Sequence, residues 1–539
     1  MSDKKIDVSG GEPELENLIY KKNGSFESLP FYNICDETEG KIIPFFCRKF
    51  GYLAEDGALF WDDDEVWDSS FIGERNGRSV CVLGDKICVF PDKVYYDITL
   101  HKSGNIEAEV SLENENLSVT FDDGTIPTGY CYSATEPENA SANSMWVQKD
   151  LSMGIYNVWR KGDGNSVWDI QDTVCYRVNV NGASDIFSVG QKVSVSGLTT
   201  SERGFGAFDG VYRVAFVSQN DIYLEHKPDK MVLPRICRAS THHLVALTLN
   251  IERRVPNISL PTASHGRIWA LDDKNRVRAS AKGDIFSWET EDGEEDDSVT
   301  LYSYGTSTFL FSCEYENAVC FAGANEIVFI KGTKPDNFTL RGHKIGGARG
   351  VCRAHGTVYR VSGDGELYSA TSSKSKSLGV TGLNPIRLIP YDKYILCVEE
   401  NTTKIINTED YRVSTATTTP QFVWNEGNIT HFCIYDGENT RFCTVADDSP
   451  SKWRLASGLL AVEGGTLVDY AELDIEGEGE VRVRFNTPAL YGIWRSFPFK
   501  GRRKIRIPTG MRELDFVEAE IAGECKARIY KMALLCKAK

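Results

Sequence analysis

Short runs rich in Val, Ile, Thr, Tyr, Phe and Trp recur along the whole chain and are separated by turns that contain Gly, Asn or Asp. Runs of roughly 5 to 8 such residues are typical of antiparallel β-strands, and heptads of amphipathic helices are hard to find. Within residues 79–90, Gly84-Asp85 separates two apolar runs, and His355-Gly356 has the residue types of a hairpin turn. The sequence therefore predicts an all-β protein.

A loose repeat covers residues 264–456 and consists of an apolar strand, a tight turn, a second strand and a polar loop. Five units begin at Arg267, Phe309, Gly350, Pro385 and Phe422. Their spacing of about 35 to 45 residues is that of four-stranded β-propeller blades. Stacked β-sandwiches are the alternative, because no WD or kelch signature accompanies the repeat. A similar strand series at 41–96 is expected to supply one or two more blades.

The repeat is interrupted and followed by segments of different character, which predicts four regions. Residues 1–100 form an amino-terminal segment with the first blades, and residues 101–250 form an insertion that includes a small β-barrel at about 173–240. The remaining blades occupy 251–458, and the long alternating strands of 459–539 indicate a carboxy-terminal β-sandwich. The predicted fold is thus an all-β, propeller-like body with an inserted small barrel and a terminal sandwich.

Charge and cysteine usage exclude some classes of function. The chain of 539 residues has a formal net charge of -17, which argues against a general nucleic-acid binder but leaves room for a local basic patch. The 15 cysteines include no C-x-x-C pair and lie mostly in apolar runs, so they are expected to be buried thiols of a protein that folds in a reducing compartment. No secretory signal and no membrane insertion are expected.

Signatures of catalysis and metal binding are missing from the sequence: it has no G-x-S-x-G, Walker A or H-E-x-x-H motif, and no G-x-G-x-x-G between a strand and a helix. His431 and Cys433 would share one face of a strand, but two ligands do not make a metal site. The acidic clusters Asp62–Glu65 and Glu291–Asp297 lack the spacing of a calcium loop and are interpreted as solvated loops. We therefore expect no catalytic residue, metal or cofactor, and a protein that is not an enzyme.

One basic run in the carboxy-terminal region interrupts the acidic background. It is a candidate interface for an acidic neighbouring subunit, a nucleic acid passing nearby or a polyanionic polymer, and an exposed hairpin is the alternative. Its cations are Lys500, Arg502, Arg503, Lys504 and Arg506. Aromatic residues that would stack on sugars, but are more often core residues, are Trp61, Trp67 and Trp168.

Several segments, taken in order, carry a family resemblance. The run His265–Trp288 contains an R-I-W core followed by S-x-x-G-D-x-x-x-W, a later segment reads G-x-x-P-x-x-F, and a G-V dipeptide follows. The residues of these motifs are Arg267, Trp269, Ser280, Gly283, Asp284, Trp288, Gly332, Pro335, Phe338, Gly350 and Val351. The chain resembles a family of tail and baseplate-region proteins of tailed bacteriophages. Gly283 and Gly332 are expected to permit turns, and Trp269, Trp288 and Phe338 to fill spaces between sheets.

The resemblance implies a structural protein of a phage tail, of the tail-tip, nozzle or baseplate type, that assembles as a multimer around the tail axis. It implies a place in the virion after assembly in the host bacterial cytoplasm. Partners would be other tail proteins and further copies of the chain, with a host surface glycan and passive contact with exiting DNA as further candidates. Two alternatives stay open: a receptor-binding protein that recognises a cell-surface glycan, and a polysaccharide-degrading propeller with two carboxylates about 5 to 10 Å apart.

Overall fold

The computed structural model describes most of the chain. The described residues are 4–7, 14–21, 25–29, 31–73, 75–149, 156–163, 167–197, 209–226, 243–288, 297–301, 308–446 and 452–537. Strands dominate these ranges, in which the α-helix is limited to Ala183–Ile186 and a 3-10 helix spans Pro335–Asn337. Across the same ranges, no helix has the length and apolar character needed to cross a membrane. The all-β prediction is confirmed.

The chain divides into two compact units. Unit 1 comprises 1–76, 305–331 and 340–539, and unit 2 comprises 77–304 and 332–339. Antiparallel groups of four strands recur in both units, either as separate sheets or, in one case, at the end of a larger sheet, and we call each such up-and-down group a blade, numbered in chain order. The described residues contain seven blades, so the propeller-like body that the repeat predicts is confirmed.

Unit 1 contains five blades, in which successive strands pair with one another. The first strand of blade 4 contacts that of blade 5, and the same relation holds from blade 5 to blade 6, from blade 6 to blade 7 and from blade 7 to blade 1. The strands of blade 1 are Ile43–Cys47, Lys49–Leu53, Leu59–Trp61 and Asp64–Trp67. Blade 4 consists of Phe309–Tyr315, Ala318–Gly323, Glu326–Lys331 and Thr339–Lys344, and blade 5 of Gly350–Ala354, Thr357–Val361, Leu367–Ala370 and Ser375–Ser377. Blade 6 consists of Arg387–Tyr391, Tyr394–Val398, Thr403–Asn407 and Val413–Ala416.

Blade 7 joins distant parts of the sequence. Three of its strands are Pro420–Glu426, Ile429–Tyr435 and Asn439–Ala446, and the fourth is Phe31–Glu39 from the amino-terminal region. The register runs from Asn439 opposite Glu39 to Ala446 opposite Phe31. Because this strand supplies backbone partners that the third strand would otherwise lack, it closes the edge of the blade.

Apolar side chains on the faces of neighbouring blades form the cores between them. One such core joins blades 4 and 5 and includes Cys320, Phe329, Val351 and Val358. Cys320 is completely buried, and burial raises the pKa of its thiol well above the ordinary value. Cysteines in these positions act as small apolar side chains.

Unit 2 holds blades 2 and 3, whose first strands contact each other. It also holds a closed six-stranded barrel and a second small sheet, in which Tyr130–Tyr132 is parallel to Met145–Lys149. The inserted barrel of the predicted fold class is therefore present. The strands of blade 2 are Ser79–Leu83, Lys86–Phe90, Val94–Asp97 and Lys102–Asn105; those of blade 3 are Ile258–Ser264, Arg267–Asp272, Val277–Ala279 and Val299–Leu301; those of the barrel are Ala108–Phe121, Val174–Asn179, Lys192–Ser196, Gly210–Val217, Asp221–His226 and His243–Arg253; and the small sheet is completed by Tyr156–Lys161 and Trp168–Gln171.

A buried arginine ties the barrel to blade 2 within unit 2. Arg253 Nε donates to the carbonyl of Ile106 (2.7 Å), and its two terminal nitrogens donate to the carbonyls of Asn105 (2.9 Å) and Ile186 (2.7 Å). The guanidinium also donates to Gln191 Oε1 (2.8 Å). Burial of this cation lowers the pKa of Arg253 to about 10. The point where the insertion leaves the blade is thus fixed by one charged side chain.

The carboxy-terminal region of unit 1 forms the predicted sandwich from long strands. Leu460–Asn486 pairs with Arg503–Glu524 at both of its ends, with Leu460 opposite Val517 and Asn486 opposite Glu518. This pairing is interrupted between Ile475 and Val481, where Gly477 has a φ of 140° and a Cβ would lie 2.3 Å from the carbonyl oxygen of Lys526. The other long strands of the sandwich are Lys452–Ala456, Arg495–Lys500 and Ala527–Lys537. The short strands Lys4–Asp7, Leu18–Tyr20 and Phe26–Ser28 lie at one edge of the sandwich, and Glu14–Glu16 joins the sandwich to blade 6.

Candidate interaction site

An apolar loop projects from the terminal sandwich into solvent. Strand Leu460–Asn486 and strand Arg495–Lys500 pair from Glu478 opposite Lys500 to Val483 opposite Arg495. We call Glu478–Lys500 the tip hairpin and its connection, residues 487–494, the tip loop. Within the tip loop Leu490 is 71 % exposed, Tyr491 76 % and Ile493 85 %. Three large apolar side chains next to one another in solvent are unusual for a surface with no partner.

The backbone of the tip loop is nevertheless well held. Thr487 and Leu490 exchange two backbone hydrogen bonds (2.9 and 3.2 Å), which close a tight turn. The amide of Gly492 donates to Asn486 Oδ1 (3.1 Å), and a Cβ at position 492 would lie 2.1 Å from the carbonyl oxygen of Phe485. The exposed side chains are therefore carried on a fixed turn.

A buried carboxylate anchors the same loop to the sandwich. The side chain of Glu520 is 1 % exposed and accepts hydrogen bonds from Arg454 Nε (2.8 Å), Arg484 Nη2 (2.7 and 2.9 Å) and Arg484 Nε (3.0 Å). Asn486 Nδ2 donates to it as well. Burial alone would raise the pKa of the Glu520 carboxyl, but these hydrogen bonds outweigh burial, and the pKa lies below its ordinary value.

Arg484 connects that carboxylate to the aromatic rings of the tip loop. Its guanidinium carbon lies 4.6 Å from the ring centre of Trp494 and 5.4 Å from that of Tyr491. Both distances are within the range of cation–π contacts. The surface thus presents Tyr, Trp and Arg side chains, which are the residue types enriched among the energetically dominant residues of protein interfaces.

The predicted basic run lies at the other end of the same hairpin. Lys500 ends one strand, Arg502 lies in the turn, and Arg503, Lys504 and Arg506 lie on the next strand, with all five exposed. Lys500 Nζ pairs with Glu478 (2.8 Å), and Arg502 donates to both oxygens of Asp474 (3.0 and 3.1 Å). Carboxylates of the neighbouring strand therefore neutralise part of the run, whose use as an interface stays a prediction.

Most of the resemblance motif residues meet in unit 2, around blade 3. Trp269 and Phe338 make an edge-to-face contact at 5.0 Å, and a Cβ at Gly332 would lie 2.6 Å from the Phe338 ring. Arg267 Nη1 donates to the carbonyl of Ser280 (2.9 Å). Other motif residues nearby have structural roles. Gly283 has a φ of 74°, and Pro335 begins the 3-10 helix. Asp284 accepts a hydrogen bond from the Phe286 amide (2.7 Å), and Trp288 donates one to the Ile285 carbonyl (2.9 Å).

Gly350 and Val351 belong to unit 1 and lie on the first strand of blade 5. A Cβ at Gly350 would lie 3.0 Å from Leu388 Cγ of blade 6, so the glycine allows a close approach between blades. Taken with the contacts in unit 2, the motif residues are packing and turn residues in the described structure.

The other candidates from the sequence lie in structural surroundings. His431 stacks on Trp424 at 5.4 Å, and Cys433 is buried, with a pKa that burial raises to about 12. Trp67 donates to the carbonyl of Gly57 (2.9 Å) and is buried. Trp61 donates to the Cys47 carbonyl (2.9 Å), and Trp168 is buried. Asp62–Glu65 spans the exposed turn and last strand of blade 1. Residues 291–296 of the second acidic cluster lie outside the described residues, and its last residue, Asp297, is buried and pairs with Lys192 (2.5 Å), so the prediction of a solvated loop is wrong for Asp297. In the described ranges no group of three or more His, Cys, Asp or Glu is arranged to hold a metal ion.

Sequence reasoning did not single out the tip loop. The letters L-Y-G-I-W of residues 490–494 have the composition of an ordinary strand, and nothing in them indicates exposure. The sequence does contain turn residues at this position: Asn486 and Thr487 precede the run, and Gly492 lies inside it. These residues indicate a turn between two strands, and side chains in such a turn are exposed.

Comparison with known proteins gives no family assignment. No family model and no curated protein matches the sequence. Among solved structures, the chain is similar to BamB from Moraxella catarrhalis (TM-score 0.32, 10 % identity, 76 % of this chain and 99 % of that chain) and to PorZ of Porphyromonas gingivalis (0.26, 9 %, 92 % and 82 %). It is also similar to an exo-β-1,3-galactanase from Phanerochaete chrysosporium (0.22, 8 %, 51 % and 94 %). Likenesses at this level transfer no function, and the resemblance to phage tail proteins stays a prediction.

Proposed function

We propose that this chain is a structural assembly protein of a bacteriophage tail that docks onto a neighbouring tail protein through its tip loop. The exposed, anchored apolar loop of the terminal sandwich carries the proposal. Burial of Leu490, Tyr491 and Ile493 against a partner would remove apolar surface from water, which is the main favourable term in protein association. No catalytic role is proposed.

Rigidity of the tip loop supports docking, because ordering a flexible segment on binding costs free energy. The Glu520–Arg484 contacts and the closed turn at Thr487 hold the aromatic rings in place before any partner arrives. The ordered motifs of the sequence supply the tail assignment, and the all-β architecture agrees with it. Placement in the virion and multimeric assembly around a tail axis are part of the same proposal.

Two measurements test the proposal. Mass spectrometry and cryo-electron microscopy of phage particles that encode the chain should find it in several copies at the tail, and particles that lack the chain would overturn the assignment. A variant with Leu490→Ser, Tyr491→Ser and Ile493→Ser should be missing from particles while the protein still folds. Normal incorporation of that variant would show that the tip loop is not the docking surface.

A matched control replaces three other apolar residues that are also more than half exposed. Leu100, Val189 and Ile386 are 70 %, 64 % and 68 % exposed, and none belongs to the tip loop. The triple serine variant at these positions should enter particles at the wild-type level. Equal loss in both variants would indicate a general effect of surface polarity and would contradict the docking role.

A receptor-binding function is the second candidate, since the exposed ring of Tyr491 beside Trp494 would also suit stacking on a sugar. In that case the isolated wild-type protein binds host cells or wall polysaccharide, and Tyr491→Ser abolishes this binding. Absence of any cell or polysaccharide binding by the wild-type protein, with particle incorporation lost in the triple variant, would leave assembly as the function.

A further inference from the structure

A cavity of about 710 Å³ lies in unit 1 between blades 6 and 7 and under the amino-terminal strands. Leu396 and Ile405 of blade 6 and Val423 and Phe432 of blade 7 line it. It interrupts an apolar cluster to which Leu396, Ile405 and Ala416 belong and against which Val423 packs. Cavities of roughly 300 to 1,000 Å³ with predominantly apolar walls are the usual size and character of small-molecule sites.

Several polar groups on the cavity wall already have hydrogen-bond partners within the protein. The hydroxyls of Tyr391 and Thr430 lie 2.7 Å apart, and Thr403 donates to the Thr418 carbonyl (2.7 Å). Tyr394 is buried, and burial raises the pKa of its phenol. A sugar or an ion placed inside would lose its hydrogen bonds to water and gain few in exchange, which disfavours both.

The charged residues of the lining lie at its exposed rim. Lys452 and Glu524 have side chains that are 81 % and 54 % exposed, and their Nζ and Oε1 atoms lie 3.8 Å apart. Thr417, also on the rim, is exposed as well. An apolar interior with a polar, accessible rim matches a molecule that is itself apolar along its body and polar at one end.

We propose that this cavity binds the alkyl chain of an amphiphile, with the head group at the rim formed by Lys452 and Glu524. The alkyl chain contacts the aliphatic and aromatic wall of the cavity, and the head group stays in water. Glu524 Oε1 lies 3.8 Å from Lys452 Nζ and 3.6 Å from Arg482 Nη2, so the charges at the rim already have partners of opposite sign, and the site selects the length of the alkyl chain rather than the charge of the head group. This ligand site is independent of the tip loop and of the proposed assembly function.

Isothermal titration calorimetry of the full-length protein with octanoate, decanoate and dodecanoate tests whether affinity depends on the length of the alkyl chain. Each buried methylene contributes about 0.8 kcal/mol, so Kd should fall about fourfold per methylene, or about fifteenfold for each pair, until the cavity is filled. Decyl maltoside should bind within about threefold of decanoate. Affinity that does not depend on chain length, or no binding to any of these probes, would overturn the proposal.

Variants locate the binding. Ala416→Leu fills part of the cavity and should weaken dodecanoate binding, whereas Ala134→Leu makes the same change at an exposed residue that does not line the cavity and should leave the affinity unchanged. Should Ala416→Leu fail to fold by circular dichroism, Thr417→Trp blocks the exposed rim without entering the core. Unchanged affinity in a folded variant would refute the site. Cosedimentation with phosphatidylcholine vesicles then separates the sources: binding to vesicles as well as to free acids identifies a membrane lipid, and binding to free acids alone identifies a free amphiphile.

Discussion

Replacement of Glu520 by glutamine should loosen the tip hairpin. Glu520 is almost completely buried and accepts hydrogen bonds from Arg454, Arg484 and Asn486. Glutamine keeps the shape of the side chain and one acceptor oxygen, but it removes the negative charge and places an amide group against two cations. The change thus isolates the contribution of the charge from that of packing.

The expected cost follows from the exposure of the partners. A hydrogen bond to a charged group contributes about 1.5 to 3 kcal/mol, and removal of one member of a fully buried ion pair costs about 3 to 5 kcal/mol. Arg454 and Arg484 are 38 % and 22 % exposed, so water can solvate both in the variant. We therefore expect Glu520→Gln to destabilise the hairpin by about 2 to 3 kcal/mol, below the range for fully buried pairs.

The pH dependence has a definite sign. The pKa of Glu520 is lower in the folded chain than its ordinary value, so the unfolded carboxyl binds protons at a higher pH than the folded one. Its stabilising contribution is fully present above the unfolded pKa and is lost as the pH falls through the folded pKa. Glutamine does not titrate, and the difference in stability between wild type and variant should shrink on acidification from neutral pH.

Hydrogen exchange read by mass spectrometry suits this test, because a chain with several domains does not unfold in one two-state step. A loss of about 2 to 3 kcal/mol speeds exchange of amides in Glu478–Lys500 about 30- to 150-fold. Glu478→Gln is the control, since Glu478 makes an exposed pair with Lys500 in the same hairpin and should change exchange less than about fivefold. Equal exchange in wild type and Glu520→Gln at neutral pH would refute the anchoring role.

Two further predictions concern other parts of the chain. Arg253→Met should destabilise unit 2 by at least about 3 kcal/mol, because several buried acceptors lose a charged donor. Limited proteolysis should therefore cut the insertion of the variant faster than that of wild type, and a protease-resistant variant would contradict this expectation. Among the described cysteines, the exposed Cys35 should react first with a thiol reagent, whereas Cys81, whose pKa burial raises to about 12, should react only on unfolding. A fast phase that persists in Cys35→Ser would refute the assignment.

The blades could be predicted because each one is encoded locally. The turn at His355-Gly356 follows strand Gly350–Ala354 and precedes Thr357–Val361, as the alternation of apolar runs and turn residues indicates. Both turn residues have positive φ, 46° and 76°, which suits a two-residue hairpin turn. Where one strand pairs with the next in sequence, pattern and turn chemistry suffice.

Pairing between strands that are far apart in the sequence cannot be predicted from local patterns of apolar and turn residues. Strand Phe31–Glu39 completes blade 7 by pairing with residues about 400 positions later, and its sequence is not distinguishable from that of a strand that pairs with its neighbour. The cavity between blades 6 and 7 has the same origin, because it depends on how two sheets approach each other. Side chains such as Leu396 and Val423 look like ordinary core residues in the sequence, and only their separation in space leaves a volume to fill.

The tip loop shows why exposure is harder to predict than strand formation. Leu490, Tyr491 and Ile493 would be assigned to a core by hydrophobicity, and the strands on either side are indeed half-buried. They are exposed because the turn at Thr487 and the close contact of Gly492 with the Phe485 carbonyl direct the chain outward, beyond the last paired residues of the hairpin. The Glu520–Arg484 contacts then hold that geometry at the expense of leaving apolar surface in water. In the function proposed for this chain, a neighbouring tail protein covers this surface and removes it from water.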